Sequence, residues 1–270
     1  MINMLVTGGA GQLGQAFSSL GLKEVVTLDR QQLDISDSSS IRQVFQQYQP
    51  TVVVNAAAYT NVEQAELAPE QAFAINEKAA ALLARICVEH GVQLIHLSTD
   101  YVFDGTKGQP YEPSDPTNPI NCYGQSKLAG EKAVLSVNSQ AIVVRSSWLY
   151  SEFGHNFQTK ILRAAKDRQQ QAKPLQVVSD EWGTPTYTLD LVRFLISLAQ
   201  RAPAYQGQIL HFSNDNVMNR LQMAEMLLRA ALQRGELKEL PKIEAALSKD
   251  YPTVAKRPRN SALKSSKLGS

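Results

Sequence analysis

The stretch Gly8-Gly9-Ala10-Gly11-Gln12-Leu13-Gly14 limits the fold more than any other part of the chain. It stops the short apolar run Ile2-Asn3-Met4-Leu5-Val6 and opens the amphipathic segment Gln12 to Leu20. A strand that ends on glycines and turns at once into a helix presents unpaired backbone N–H groups and the positive end of a helix dipole. Glycines at the first, fourth and seventh places serve a tight turn, a close approach to pyrophosphate, and contact between helix and strand. Gly8, Gly11 and Gly14 hold those places. Lying on the first strand and opening a helix, the motif predicts a bound dinucleotide.

The rest of the chain supplies the setting. Glu24 to Leu28 reads as a second strand and Ser38 to Tyr48 as a helix preceded by Ser and Asp caps. Thr51-Val52-Val53-Val54 is a β-branched run of the kind buried on both faces of a parallel sheet. A long alanine-rich helix from Pro69 to His90 follows, then a strand Val92 to Leu97, a helix Ser126 to Leu135 and a strand Ala141 to Val144. Strands separated by helices of this length indicate βαβ units, and so an α/β doubly wound parallel sheet of Rossmann type.

Beyond about residue 150 the alternation loosens. Phe157 to Arg168, Asp190 to Arg201 and Leu221 to Arg234 read as helices, and Leu175 to Val178 as a short strand. The expected division is an NAD(P)-binding Rossmann domain over 1–150 and a smaller C-terminal, mainly substrate-binding domain over 151–270. A segment near 186–215 is expected to return to the first. Two loops rich in Pro, Asn, Ser or Asp, Asp104 to Asn121 and Pro252 to Asn260, are long enough to be functional.

Composition narrows the partners. A formal charge of +2, with 43% hydrophobic and 19% charged residues, gives no reason to expect nucleic acid or an anionic membrane as partner. Lys256-Arg257-Pro258-Arg259 is the nearest thing to a basic cluster and reads as a solvated loop. Cys87 and Cys122 are too few for a disulfide framework or a zinc site, and reduced thiols suit the cytoplasm. No stretch is long and apolar enough for a membrane span. A soluble, cytoplasmic protein is expected.

Two groups of residues carry the chemistry. At the end of the second strand, Asp29 is placed to take the adenosine ribose hydroxyls, while its neighbour Arg30 suits a 2′-phosphate. The pair leaves both NADH and NADPH open. Asp34 and Ile35 either flank the adenine or are a turn residue and a core residue. Tyr123 and Lys127 are four apart, hence on one face of a helix. A carbonyl that receives hydride needs a proton, and a nearby ammonium is expected to depress the phenol's pKa so that it can supply one. Ser98-Thr99 closes the preceding strand at the end where doubly wound sheets bind ligands, so a hydroxyl there can orient the same carbonyl. Asn76 is a candidate polar support.

Ser/Thr, Tyr and Lys in this order resemble the catalytic set of the short-chain dehydrogenases/reductases. Longer motifs narrow the resemblance. They are the glycine motif, Asn55-Ala56-Ala57-Ala58-Tyr59-Thr60-Asn61-Val62, Ser98-Thr99-Asp100-Tyr101-Val102-Phe103-Asp104-Gly105 and Asn121-Cys122-Tyr123-Gly124-Gln125-Ser126-Lys127. Arg145-Ser146-Ser147-Trp148-Leu149-Tyr150, Gly183-Thr184-Pro185-Thr186 and Arg257-Pro258-Arg259-Asn260-Ser261 complete the set. Together they resemble the dTDP-4-dehydrorhamnose reductase family, which reduces a nucleotide-linked 4-keto-sugar with NADPH and often with NADH.

The resemblance implies that Thr99, Tyr123 and Lys127 are catalytic. It places Gly11, Gln12, Leu13 and the Ala56-Ala57-Ala58 run against the cofactor, with Tyr123 and Lys127 reaching it too. Val62, Thr99, Asp100, Tyr101 and Trp148 would line the sugar pocket and Asn156 the nucleotide end. Trp182 receives no role. Some members dimerise through magnesium held by carboxylates, one of them beside the last glycine of the phosphate loop. Gln15 stands there in this chain, so no metal is expected, and a monomer or weak homodimer is. Two rivals stand beside the reductase. One is a dehydratase or epimerase of the same superfamily, but dehydratases usually carry Thr-Asp-Glu where this chain has Thr99-Asp100-Tyr101. The other is a non-catalytic NADP-binding regulator similar to the β subunit of methionine adenosyltransferase.

Overall fold

The computed structural model describes residues 3–171 and 173–269; Ile2, expected to begin the first strand, lies outside them. In chain order the elements begin with β1 (Met4–Thr7), α1 (Gln12–Ser19), β2 (Val25–Leu28), α2 (Ser38–Tyr48) and β3 (Val52–Asn55). They continue with α3 (Val62–Leu67), α4 (Pro69–Phe73), α5 (Ala80–Glu89), β4 (Gln93–Thr99), α6 (Cys122–Val137) and β5 (Ile142–Ser146). The remainder is β6 (Leu149–Tyr150), α7 (Phe157–Gln170), β7 (Leu175–Val178), β8 (Trp182–Gly183), β9 (Thr186–Tyr187), α8 (Thr188–Gln200), β10 (Ile209–Phe212), β11 (Met218–Asn219), α9 (Arg220–Gln233) and β12 (Ile243–Ala246).

Six of these strands form the central sheet in the order β10-β5-β4-β3-β1-β2, all parallel. The order reverses at β1, where the chain leaves to one side for β2 and returns to the other for β3. Loops diverge above that switch point and open a crevice there, as doubly wound sheets do. Alternation along the strands sorts side chains to two faces. Met4, Val6, Val52, Val54, Ile95 and Leu97 pack with Phe17 of α1 and Leu191, Leu195 and Leu198 of α8. Leu5, Val53 and Leu94 face the other way, against Ile41 and Phe45 of α2 and Leu83 and Ile86 of α5. Each such aliphatic side chain contributes about 1.5–3 kcal/mol when taken fully out of water.

A third apolar cluster lies apart from the sheet and joins α7, α9 and β7 through Ile161, Leu175, Val177, Met223, Leu227 and Leu228, with Trp148 at its border. Between these elements, α8 covers the central sheet and β10 extends its edge beside β5.

Four differences from the sequence reading have local causes. α6 begins at Cys122 and not at Ser126, because Asn121 caps it by accepting from the Gly124 N–H at 2.7 Å. The Pro-rich loop before it hides that start. β4 runs on to Thr99. The long helix from Pro69 is broken by a π-helical stretch over Ala74–Ala79. β10 and β12 were not anticipated: each is only four residues, and Ile-Glu-Ala-Ala in β12 has little β-branched character.

Candidate active site

The glycine turn is built for a guest. Gly8 has φ +71°, and a Cβ there would stand 3.0 Å from the Ala56 and Ala57 backbone as the chain leaves β3. A Cβ on Gly14 would stand 2.4 Å from the Gly9 Cα, so the helix rests directly on its own turn. Gly9, outside the three-glycine spacing, is also tight: a Cβ there would stand 2.8 Å from the Leu28 backbone of β2. Helices α2, α3, α6, α7 and α9 all carry a side-chain cap on their N-termini. By contrast α1 starts at Gly11 with no side-chain cap and no acidic residue in its first turn. Its free N–H groups and dipole therefore face open space, a fit for the pyrophosphate of a dinucleotide.

That space is a cleft of about 750 Å³ at the switch point. Gly8, Gly11, Gln12, Leu13, Arg30, Asp34, Ile35, Ala56, Ala57, Ala58, Tyr123 and Lys127 all line it. Two residues expected at the cofactor do not. Gly14 is buried under the turn, and Asp29 is absent from the lining. The Asp29 carboxylate instead accepts from the backbone N–H groups of Gln31 and Gln32 at 2.9 and 3.0 Å, closing a local turn. Arg30 is left there as a positively charged group beside Asp34. Its side chain is 78% exposed, and its Nε stands 3.6 Å from Asp34.

The chain after β3 is held from within. Thr7 accepts from the Ala57 N–H at 3.0 Å and donates to Asn55 at 2.7 Å. Asn55 Nδ2 in turn lies 3.0 Å from His96 Nδ1. His96 is wholly buried, and desolvation first, with the charge of Lys127 second, holds it well below the usual histidine range. Neutral His96 thus accepts at Nδ1. Asn76 exchanges hydrogen bonds with the backbone of Tyr59 at 2.8 and 3.0 Å and donates to Ser126 at 2.9 Å. It ties the loop after β3 to α6, one residue before Lys127.

At the mouth of the cleft, Tyr123 and Lys127 occupy the first two turns of α6, and Thr99 ends β4. The close approach depends on Gly124, where a Cβ would fall 2.1 Å from the Tyr101 carbonyl oxygen. Tyr101 packs edge-on against Tyr123, with centroids 5.9 Å apart. The Thr99 hydroxyl donates to Asp100 at 3.0 Å and accepts from the Tyr101 N–H at 3.2 Å.

The electrostatics correct one expectation. Burial pushes the Tyr123 phenol well above its ordinary pKa; a hydrogen bond with Thr99 offsets part of this, while Asp100 and Tyr101 add to it. Lys127 does not depress it. Its ammonium is itself buried, donates to the Leu97 carbonyl at 2.6 Å, and is brought down to about 8 by desolvation, against the opposing pull of Glu131.

The residues expected at the substrate divide. Asp100 and Tyr101 lie buried beside Tyr123, and desolvation raises Asp100 to about 6 while one carboxylate oxygen has no partner among the described residues. Trp148 is buried in a left-handed backbone conformation, φ +47°. Val62 is the first residue of α3, after its cap Asn61. Asn156 is committed elsewhere. It caps α7, and its amide donates to the carbonyls of Ser151 and Phe153 at 2.9 Å each. What it organises is the 151–155 loop, whose Gly154 and His155 line the cleft beside Gln12. Sequence reasoning missed both; Gly-His directly before a capped helix was the available signal.

Gln15 turns back to donate to the Ala10 carbonyl at 2.7 Å. Among the described residues no group of three His, Cys, Asp or Glu side chains is arranged to hold a metal, and no helix is long and apolar enough to cross a membrane.

Known proteins resemble this chain in sequence and fold. The model of the RmlD substrate binding domain family matches residues 2–270. A dTDP-4-dehydrorhamnose reductase of Aggregatibacter actinomycetemcomitans is 36% identical over 99% of this chain and 92% of its own length. A dTDP-4-keto-6-deoxy-D-glucose reductase of Streptomyces niveus is 44% identical over 73% of this chain and 68% of its own. The crystal structure of a dTDP-4-dehydrorhamnose reductase from Bacillus anthracis in complex with NADP superimposes with a TM-score of 0.89 at 30% identity, covering 98% of this chain and 92% of that one. On its fold, its phosphate turn and these matches, the chain belongs to the dTDP-4-dehydrorhamnose reductase (RmlD) family of extended short-chain dehydrogenases/reductases.

Proposed function

We propose that this protein is an NADPH-dependent reductase that converts the 4-keto group of dTDP-4-dehydro-L-rhamnose to the alcohol of dTDP-L-rhamnose. The observation that carries the reading is the convergence of Tyr123, Lys127 and Thr99 where the dinucleotide cleft meets the end of β4. A cytoplasmic setting, a cofactor-binding unit over 1–150 and a mainly substrate-binding unit over 151–270 belong to the same reading.

Arg30 favours a cofactor with a 2′-phosphate, since it reaches the cleft where Asp29 does not. When bound, the dihydronicotinamide supplies the hydride. Tyr123 donates the proton to the new alkoxide at its phenolic oxygen. Its phenol is protonated at neutral pH, the state from which it can donate. Thr99 orients the carbonyl oxygen. Lys127 would hold the cofactor ribose. Asp100, Tyr101 and Trp148 bound the sugar, and the buried walls keep water from the reacting atoms.

The test is consumption of NADPH with dTDP-4-dehydro-L-rhamnose made in situ from dTDP-glucose by a dehydratase and an epimerase. Tyr123→Phe is expected to retain NADPH affinity and lose roughly 10²–10⁴-fold in turnover, the range of general acid catalysis. A near-normal rate in that variant would remove Tyr123 from the mechanism. The Streptomyces niveus relative supports a second reading, reduction of the unepimerised dTDP-4-keto-6-deoxy-D-glucose. Turnover that does not need the epimerase would select it. Cofactor binding with no turnover of either sugar would favour a regulatory subunit.

A further inference from the structure

Arg220 occupies the first position of α9, directly after its cap Asn219. A cation there is opposed by the positive end of the helix dipole, so the helix itself gives no reason for it. Its guanidinium carbon stands 3.4 Å from the centroid of the Trp148 ring and 5.3 Å from that of Phe157. Stacking of this kind uses the flat face of the group and leaves its in-plane N–H donors free. Nε faces Glu181, whose carboxylate lies 3.7 Å away, and among the described residues neither Nη atom has a hydrogen-bond partner.

The indole beneath is fixed. Trp148 holds φ +47°, and a Cβ on Gly183 would stand 2.3 Å from its Cε2, so only glycine lets the ring lie there. Gly183 pairs with Met218 across β8 and β11, which places it beside the start of α9. β5 pairs with β4 through Ser146 and Thr99, two residues before Trp148, so the stacked pair stands on the side of the sheet where β4 ends.

We infer that Arg220 anchors the diphosphate of the nucleotide-sugar substrate and is a positioning residue for the reduction. This rests on the reading given under Proposed function. A sugar whose C4 carbonyl meets Tyr123 directs its anomeric carbon, and the diphosphate attached to it, away from the nicotinamide. Trp148, just past the end of β5, and Arg220 stacked on it are taken to lie along that path. A guanidinium fork matches phosphate oxygens two at a time, and the dipole of α9 adds to the attraction for an anion. The stacked indole keeps the fork in one orientation before the ligand arrives.

Calorimetric titration of the NADPH-loaded protein with dTDP and with thymidine tests this. Arg220→Met keeps an unbranched apolar stem on Trp148 and removes the charge. It is expected to weaken dTDP by about 10-fold or more, the loss for a charged hydrogen bond, and to leave thymidine and NADPH affinities unchanged. Arg220→Lys should fall between, because an ammonium lacks the fork. Equal losses for dTDP and thymidine would overturn the proposal and leave Arg220 as a support for the indole. So would an Arg220→Met variant that binds dTDP as the parent does. A parent that binds NADPH but no dTDP would overturn the nucleotide-sugar reading itself, and this proposal with it.

Discussion

Removing the guanidinium of Arg145 tests how the catalytic face of α6 is held to the sheet. Arg145 on β5 and Glu131 on α6 share two hydrogen bonds, Nε to Oε1 at 2.9 Å and Nη2 to Oε2 at 2.7 Å, with side chains only 3% and 2% exposed. Ser98 also donates to Oε1 at 2.5 Å, and Arg145 reaches the Pro113 carbonyl at 3.3 Å. The pair thus joins β4, β5, α6 and the loop before α6. Arg145→Met keeps an unbranched apolar stem, removes the guanidinium that stands 5.2 Å from the Phe103 ring centroid, and leaves Glu131 buried with Ser98 alone. Breaking a buried pair in this way costs about 3–5 kcal/mol. Against a total stability of roughly 5–15 kcal/mol, that is a large share.

The assay is urea unfolding followed by far-UV circular dichroism without ligand, because bound NADPH would mask part of the loss by mass action. The double variant Glu131→Leu, Arg145→Met removes both charges and should regain most of the stability, giving a coupling energy well above that of exposed pairs. A loss below about 1 kcal/mol for Arg145→Met, the value of a surface pair, would refute the argument. A double variant no more stable than the single one would do the same.

Two further outcomes are expected. Lys127 sits near 8 in the folded protein against 10.5 for an ordinary lysine. Between those values the unfolded chain binds more protons, so stability should rise with pH in that window. Over the same range kcat/KM should fall as the ammonium is lost; a flat activity profile between pH 7 and 10 would exclude a role for its charge. Arg30→Ser should weaken NADPH by about 10-fold, the low end for a charged hydrogen bond at an exposed site, and leave NADH unchanged, as measured by fluorescence titration. Equal loss of both cofactors would place Arg30 elsewhere than at a 2′-phosphate.

Much of this protein is set by the sequence alone, because the deciding interactions are local. Glycines at 8, 11 and 14, runs such as Val52-Val53-Val54, and the spacing of Tyr123 and Lys127 act through backbone sterics, period and one helical turn. They suffice for the doubly wound sheet, the phosphate turn and the shared face of the catalytic pair. Tertiary structure decided what depends on partners distant along the chain. Asp29 and Arg30 look equally able to meet a ribose until the first closes its own turn. Asn156 reads as a ligand contact until its amide is found bound to the 151–154 loop. The Tyr123 pKa turns on burial among Thr99, Asp100 and Tyr101 and not on the lysine four residues away. Arg220 stood out from nothing in the sequence, since its meaning comes from an indole 72 positions earlier and a glycine that lets the ring lie flat beneath it. Desolvation and long-range contact are properties of the assembled interior, and no local pattern carries them.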